Sequence, residues 1–363
     1  MPKAKPLAIA AHVALVLGAV GGASLAATTA TPHAAPSYTL SVFAAAPSGL
    51  SAPDSVVVFD DHVFVGYGDG HAPDGSDGLN SQVVEFTLQG RQVHTFTVHG
   101  HSDGLKVNPY THELWALQNE DANPNLVIID PRSGAQREYI FGPTPHGGGY
   151  DDMAFRDCKA FISASNPANN PNIEPAIVSA RIDGGMVNVA PVLMGNAKAI
   201  DIPTGQSVAL NLQDPDSMTL NPLGDIVLDS QADQELIIVS HPATPLQQVL
   251  RLPLSYQGPN GLTRVETDDT VFVTSTQGYI LFADKNLNEL FKVSRAAFSP
   301  GQAYTAADGG PFVGAVDVTS GVITPIVTGL GDPGGMQFVD TSARPHRDRH
   351  DGSFGRCGRD QDE

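Results

Sequence analysis

The stretch Asp103-Gly104-Leu105-Lys106-Val107-Asn108 is one copy of a recurring pattern. An acid or amide, a small residue, then an aliphatic that opens a short apolar run appears also at Asp54-Ser55-Val56, Asp151-Asp152-Met153, Asp216-Ser217-Met218 and Asn260-Gly261-Leu262. A decayed copy follows at Gly334-Gly335-Met336. After each copy come a turn and a second strand-like run. A repeat of about 45–65 residues, each unit worth roughly four short strands, is the signature of an all-β propeller with four-stranded antiparallel blades. The second-plus-third strand pairs favour six blades, with seven as the alternative.

Composition agrees. The chain has 363 residues, 41% of them hydrophobic, which suffices for a large core. With 37 Gly, 28 Pro and only 16% charged residues, turns abound and charged helices are few. A net charge of −19 argues against nucleic acid and an anionic membrane surface as partners and suits cations or neutral ligands better. The same acidity also serves plain solubility.

Residues 1–26 read as a signal peptide: Lys3 and Lys5, an apolar run over 7–23, then Ser24-Leu25-Ala26 for cleavage. The expectation is a periplasmic or secreted monomer with no membrane insertion once the leader is removed. Residues 27–36 are a linker, 37–340 the propeller, and 341–363 a mixed-charge, disordered tail. Two cysteines are too few for a disulfide framework. Cys158 reads as a buried thiol and Cys357 as a tail thiol, with a bridge between them as the alternative in an oxidising compartment.

Along the chain, residues 37–45 alternate like a strand that closes a ring by pairing with the last blade. The fifth blade is expected to start at Leu262 and to continue through 270–275, 279–284 and 289–294. The sixth is expected to hold 303–308, 312–318 and 323–329. Trp115 reads as a core anchor between blades.

In a propeller each inner strand starts at one face of the ring, so the acid before it points at the channel mouth. Asp54, Asp103, Asp151, Asp216 and Asn260 then converge on one axial spot. Carboxylates and amides around one channel suit a hard cation such as Ca²⁺, or another divalent metal. The competing reading is that each acid hydrogen-bonds its own turn. Asn119 and Glu120 fall on a loop at the same face, and so do His71, His99, His101 and His146. Imidazoles beside carboxylates bind metal or move protons, although His is also an ordinary loop residue. Motifs for a nucleophile elbow, a zinc helix, a P-loop or a dinucleotide fold are missing from the sequence.

These repeats resemble those of the six-bladed propellers that include NHL-repeat proteins and the regucalcin/gluconolactonase group. Pro259-Asn260-Gly261-Leu262 matches that group's N-G-L motif, and Pro215-Asp216-Ser217-Met218 its D-G-M motif with Ser for Gly. Asp54 stands where the group has a Glu. The resemblance implies metal ligation by Asn260, Asp216 and Asp54, with Asp216 doubling as catalytic base. The order differs from the group's, because Asp216 precedes Asn260. A second resemblance is to virginiamycin B lyase-like propellers, through Pro145-His146-Gly147 and Ile129-Asp130-Pro131-Arg132-Ser133-Gly134.

Two functions follow from the sequence. The first is an exported binding propeller whose mouth takes a small molecule, peptide or glycan through Asp54, Asp103, Asp151, His101, His146 and Asn119. The alternative is a divalent-metal-dependent hydrolase or lyase acting on a small lactone or ester.

Overall fold

A computed structural model describes residues 31–258, 261–308 and 310–342. The leader read at 1–26 and the tail beyond Ser342 lie outside the described residues, as does Asn260. Every regular element among the described residues is a strand. No described helix is long and apolar enough to cross a membrane.

The pairings gather the strands into six four-stranded antiparallel units, here blades 1 to 6. Blade 1 is Pro53–Phe59, His62–Tyr67, Asn80–Thr87 and Gln92–His99, from inside outward. Blade 2 is Ser102–Val107, Leu114–Gln118, Asn125–Ile129 and Gln136–Phe141. Blade 3 is Met153–Arg156, Lys159–Ser163, Pro175–Asp183 and Met186–Met194. Blade 4 is Pro215–Leu220, Ile226–Ser230, Glu235–Ser240 and Gln248–Pro253. Blade 5 is Thr267–Phe272, Ala303–Ala307, Phe312–Val316 and Val322–Thr328. Blade 6 is Pro333–Asp340, Gly278–Asp284, Glu289–Ser294 and the N-terminal Thr39–Ala45.

Local chemistry makes these hairpins. Phe59 pairs with His62 across a two-residue turn in which Asp60 and Asp61 take φ of 46° and 62°. Arg156 pairs with Lys159 in the same way, with Asp157 and Cys158 at 50° and 60°. Two positive φ values in a row are what the right-handed strand twist asks of a two-residue hairpin. Cys158 is half-buried in that turn and disulfide-bonded, not the buried thiol expected from sequence. Cys357 lies outside the described residues.

Strand alternation then builds the core. In His62–Tyr67, Val63 and Val65 pack toward blade 6, while Phe64 packs toward blade 2. The same division runs round the molecule, so each pair of neighbouring blades encloses its own apolar cluster. The pair formed by blades 6 and 1 is included, and the ring is therefore closed by packing. Trp115 lies between blades 2 and 3, edge-on to Phe155 at 5.1 Å.

Ring closure uses the N-terminal strand as expected: Leu40 pairs with Val293 on the outside of blade 6. The fifth and sixth blades depart from the sequence expectation. Leu262 does not open an inner strand. It lies in an outer hairpin, Ser255–Gly258 with Gly261–Arg264, which flanks Val322–Thr328 and leaves Leu262 62% exposed. The innermost place in blade 5 goes to Thr267–Phe272. The hairpin 278–294 belongs to blade 6, whose inner strand carries the decayed copy Gly334-Gly335-Met336. The physical reason is apolar burial. Tyr279, Ile280, Leu281 and Phe282 are each at most 7% exposed, between blades 5 and 1, which Leu262 cannot match.

Phe282 is fully buried and stacks on Phe291 at 5.3 Å in this closing blade. Phe282→Ala is expected to lower stability by about 3–5 kcal/mol. Urea unfolding followed by fluorescence reads this directly, and a loss below about 1 kcal/mol would contradict the packing described.

Candidate functional site

The recurrent triplets are where adjacent blades lock together. Ser55 Oγ donates to the Asp103 carbonyl at 2.6 Å. Gly104 N donates to the Asp151 carbonyl at 3.1 Å. Met218 N donates to Asp152 Oδ2 at 2.8 Å, and Ser217 Oγ reaches Asp268 Oδ1 at 3.5 Å. Met336 N donates to Asp269 Oδ2 at 2.6 Å. The circuit closes at Gly335, where a Cβ would stand 2.2 Å from the Asp54 carbonyl. The corresponding distance at Gly104 is 2.1 Å, to the Asp151 carbonyl, so glycine is a steric requirement at these two joints.

This locking brings the preceding acids together. A cavity of about 270 Å³ opens at the start of all six inner strands and is lined by eleven carboxylates. They include Asp54, Asp103, Asp151, Asp216 and Asp268 from the strands, and Glu120 and Asp214 from loops. One ammonium group, that of Lys285, lines it too, 3.4 Å from Asp54 and 3.2 Å from Asp268. Further along the axis, Lys106 reaches Asp152 at 2.7 Å. Beyond that pair a second cavity of about 320 Å³ has a mixed wall, with Val57, Phe155, Leu220 and Phe338 beside Lys106, Asp269 and Gln337.

Burial and mutual repulsion set the electrostatics. Asp103, Asp151 and Asp216 are within hydrogen-bonding reach of one another in sequence, 103 to 151 and 151 to 216. Burial pushes all three carboxyls well above the usual range. The charge of neighbouring carboxylates raises Asp103 and Asp216 further, whereas the hydrogen bond from Asp103 partly offsets the rise at Asp151. Burial lifts Asp268 to about 8 even though Lys285 opposes it, and lifts Asp269 and Asp214 to about 6. Burial disfavours the charge on Lys285 and Lys106, yet the adjacent aspartates outweigh it and hold both ammonium groups protonated. At neutral pH, therefore, neighbouring carboxyls must share protons or a cation.

Of the residues singled out from sequence, Asp54, Asp103, Asp151 and Asp216 line this cavity together. Asn260 lies outside the described residues. Asn119 stands behind the cavity wall, with its Oδ1 accepting from His101 N at 2.9 Å. His146 is 1% exposed and contacts the Gly149 carbonyl through Nε2 at 2.6 Å, away from the lining. His99 faces outward and meets Glu138 at 2.9 Å on the outer strands. His71 lies 3.8 Å from Asp77 within its own loop. Sequence reasoning missed Asp268, Asp269 and Lys285. The run Asp268-Asp269-Thr270 repeats the acid–acid form of Asp151-Asp152-Met153, and that signal was available.

The raised carboxyls fix the sign of a pH effect. An acid whose folded pKa exceeds its unfolded value stabilises fully below the unfolded pKa, and that contribution is lost as pH rises through the folded pKa. With Asp214 and Asp269 at about 6 and Asp268 at about 8, stability in chelator is expected to fall between about pH 4 and pH 8. Urea midpoints at pH 5 and pH 8 test this. A midpoint that rises with pH would contradict the electrostatics described.

No family model matches the sequence, and no curated protein does. Solved structures do match. The chain is similar to virginiamycin B lyase from Staphylococcus aureus at 10% identity, over 85% of this chain and 90% of that one, with a TM-score of 0.46. A periplasmic gluconolactonase from Pseudomonas aeruginosa matches at 12% identity, over 79% and 88%, with a TM-score of 0.46. A protein of unknown function from Bacteroides caccae matches at 9% identity, over 81% and 88%, with a TM-score of 0.49.

Proposed function

We propose that the channel mouth holds a divalent cation and that the protein is a metal-dependent hydrolase or lyase acting on a small polar ester or lactone. The observation that carries this is the contiguity of the Asp103, Asp151 and Asp216 carboxyls in one cavity. The donor set fits the group. It is rich in hard oxygens, the carboxyls lie within reach of one another, and Asp103 Oδ2 is buried with no hydrogen-bond partner among the described residues. Such oxygens suit Ca²⁺ or a similar hard ion.

Asp103, Asp151 and Asp216 are the ligands in this reading. A divalent ion bound there supplies Lewis-acid polarisation of a carbonyl. Asp216 is also the base. With a cation bound beside it the Asp216 carboxyl would be held ionised and free to accept a proton, and Ser217 Oγ donates to its Oδ1 at 3.1 Å, which helps orient it. Lys285 places a fixed positive charge on the wall formed by Asp54 and Asp268. Substrate oxygen carrying negative charge would settle on that side.

A second reading, a binding propeller for a polyhydroxylated ligand such as a glycan, draws on a specific observation. Lys285 and Lys106 already neutralise Asp54, Asp268 and Asp152, so those acids have a structural role of their own. The remaining carboxylates would accept hydroxyl hydrogen bonds.

Thermal unfolding in EDTA, then with Ca²⁺, Mg²⁺, Mn²⁺ or Zn²⁺, tests the cation. An ion at about 100 times its Kd adds about 2.7 kcal/mol, and Asp216→Ala is expected to weaken that shift. Among lactones and esters turned over by the metal-loaded protein, Asp216→Asn should slow the reaction by about 10²–10⁴. If metals leave the curve unmoved and no substrate turns over, the enzyme reading fails; glycan binding without turnover supports the second one.

A further inference from the structure

On one wall of the acidic cavity the donors change character. His101, Asp103 and Glu120 bring one imidazole and two carboxylates together, with their ligand atoms all within 4.8 Å of one another. Asp103 is 7% exposed and both it and Glu120 line the cavity. Asp103 Oδ2 and His101 Nδ1 are each buried without a hydrogen-bond partner among the described residues. A buried polar atom left unpaired is costly, and two of them beside a third donor mark a place made for a bridging group.

The backbone that carries His101 and Glu120 is held from outside the cavity. His101 N donates to Asn119 Oδ1 at 2.9 Å, and Asn119 Nδ2 donates onward to the Asn123 carbonyl at 3.0 Å. Asn119 itself has a φ of 64°, which turns the chain so that Glu120 follows into the cavity. The Glu120 carbonyl accepts from Ser165 Oγ at 2.6 Å. The imidazole lies directly on Gly68, where a Cβ would come within 2.8 Å of Cε1. Ligand-bearing backbone held by hydrogen bonds, with the imidazole seated against Gly68, contributes to the preorganisation a metal site requires.

We propose that His101, Asp103 and Glu120 form a mixed nitrogen–oxygen site for a first-row transition dication such as Zn²⁺. It is distinct from the all-oxygen position between Asp103, Asp151 and Asp216. The inference rests on the cavity being a cation site, and it adds a second position with a different preference. Ca²⁺ takes oxygen ligands, whereas an imidazole with two carboxylates suits Zn²⁺. Asp103 belongs to both ligand groups, so the two positions share one residue.

Calorimetric titration of Zn²⁺ and, separately, of Ca²⁺ into the EDTA-treated, dialysed full chain tests this without any activity assay. His101→Ala is expected to weaken Zn²⁺ binding about tenfold or more and to leave Ca²⁺ binding within about twofold. Asp216→Asn should do the reverse. Co²⁺ offers a spectroscopic check, because its visible bands in the wild-type protein should change in His101→Ala. Glu120→Gln keeps the test open should the histidine variant unfold. Wild-type Zn²⁺ affinity in both His101→Ala and Glu120→Gln overturns this inference while leaving the all-oxygen position standing. Loss of Ca²⁺ binding in Asp216→Asn with Zn²⁺ binding retained supports both. If the wild-type protein binds neither ion, both fall together.

Discussion

The circuit of contacts between inner strands is the constraint on which the rest depends. Each triplet's middle residue stands against the backbone of the next triplet, at Ser55 on Asp103, Gly104 on Asp151 and Gly335 on Asp54. Where that residue is an aspartate, its carboxylate takes the next strand's amide instead, as at Asp152 with Met218 and Asp269 with Met336. Six such joints fix the strand starts, and the acids that precede them have nowhere to point except inward. Carboxylate crowding is thus a geometric result of closing the ring with this pattern. It is then moderated by two lysines that enter from different blades.

The axis is correspondingly divided. Strand starts supply carboxylates, and strand ends supply Val57, Phe155, Leu220 and Phe338. Lys106, joined to Asp152, sits at the change, and Asp269 lines both chambers. The acidic chamber is thus backed by one whose wall mixes these apolar side chains with Thr219, Thr270, Thr274 and Gln337.

Legibility in the sequence followed the range of the interaction. The first four triplets were readable because acid, small residue and aliphatic lie in register within three positions. The ring-closing role of residues 37–45 was readable from alternation alone, and Leu40 against Val293 confirms the partner. The fifth blade was misassigned because Gly261-Leu262 carries the pattern's letters without its burial, while Asp268-Asp269-Thr270 has a threonine where an aliphatic was sought. Lys285 beside Asp54 and Asp268, and Lys106 beside Asp152, join residues far apart in the chain, for which no local spacing exists. Glu120 appeared as one polar loop residue among several. Only the positive φ of Asn119 and the close approach of Gly149 show why it faces the cavity.

Blade 6 joins Thr39–Ala45 to strands that end at Asp340, so its outer and inner edges come from opposite ends of the chain. During synthesis the outer strand emerges first, and its partner Glu289–Ser294 follows only about 250 residues later. Loop-closure entropy opposes so long-range a pairing. The eleven carboxyls of the cavity come together only when the ring shuts. Closing the ring and assembling the acidic chamber are therefore one event, since every blade contributes to its lining.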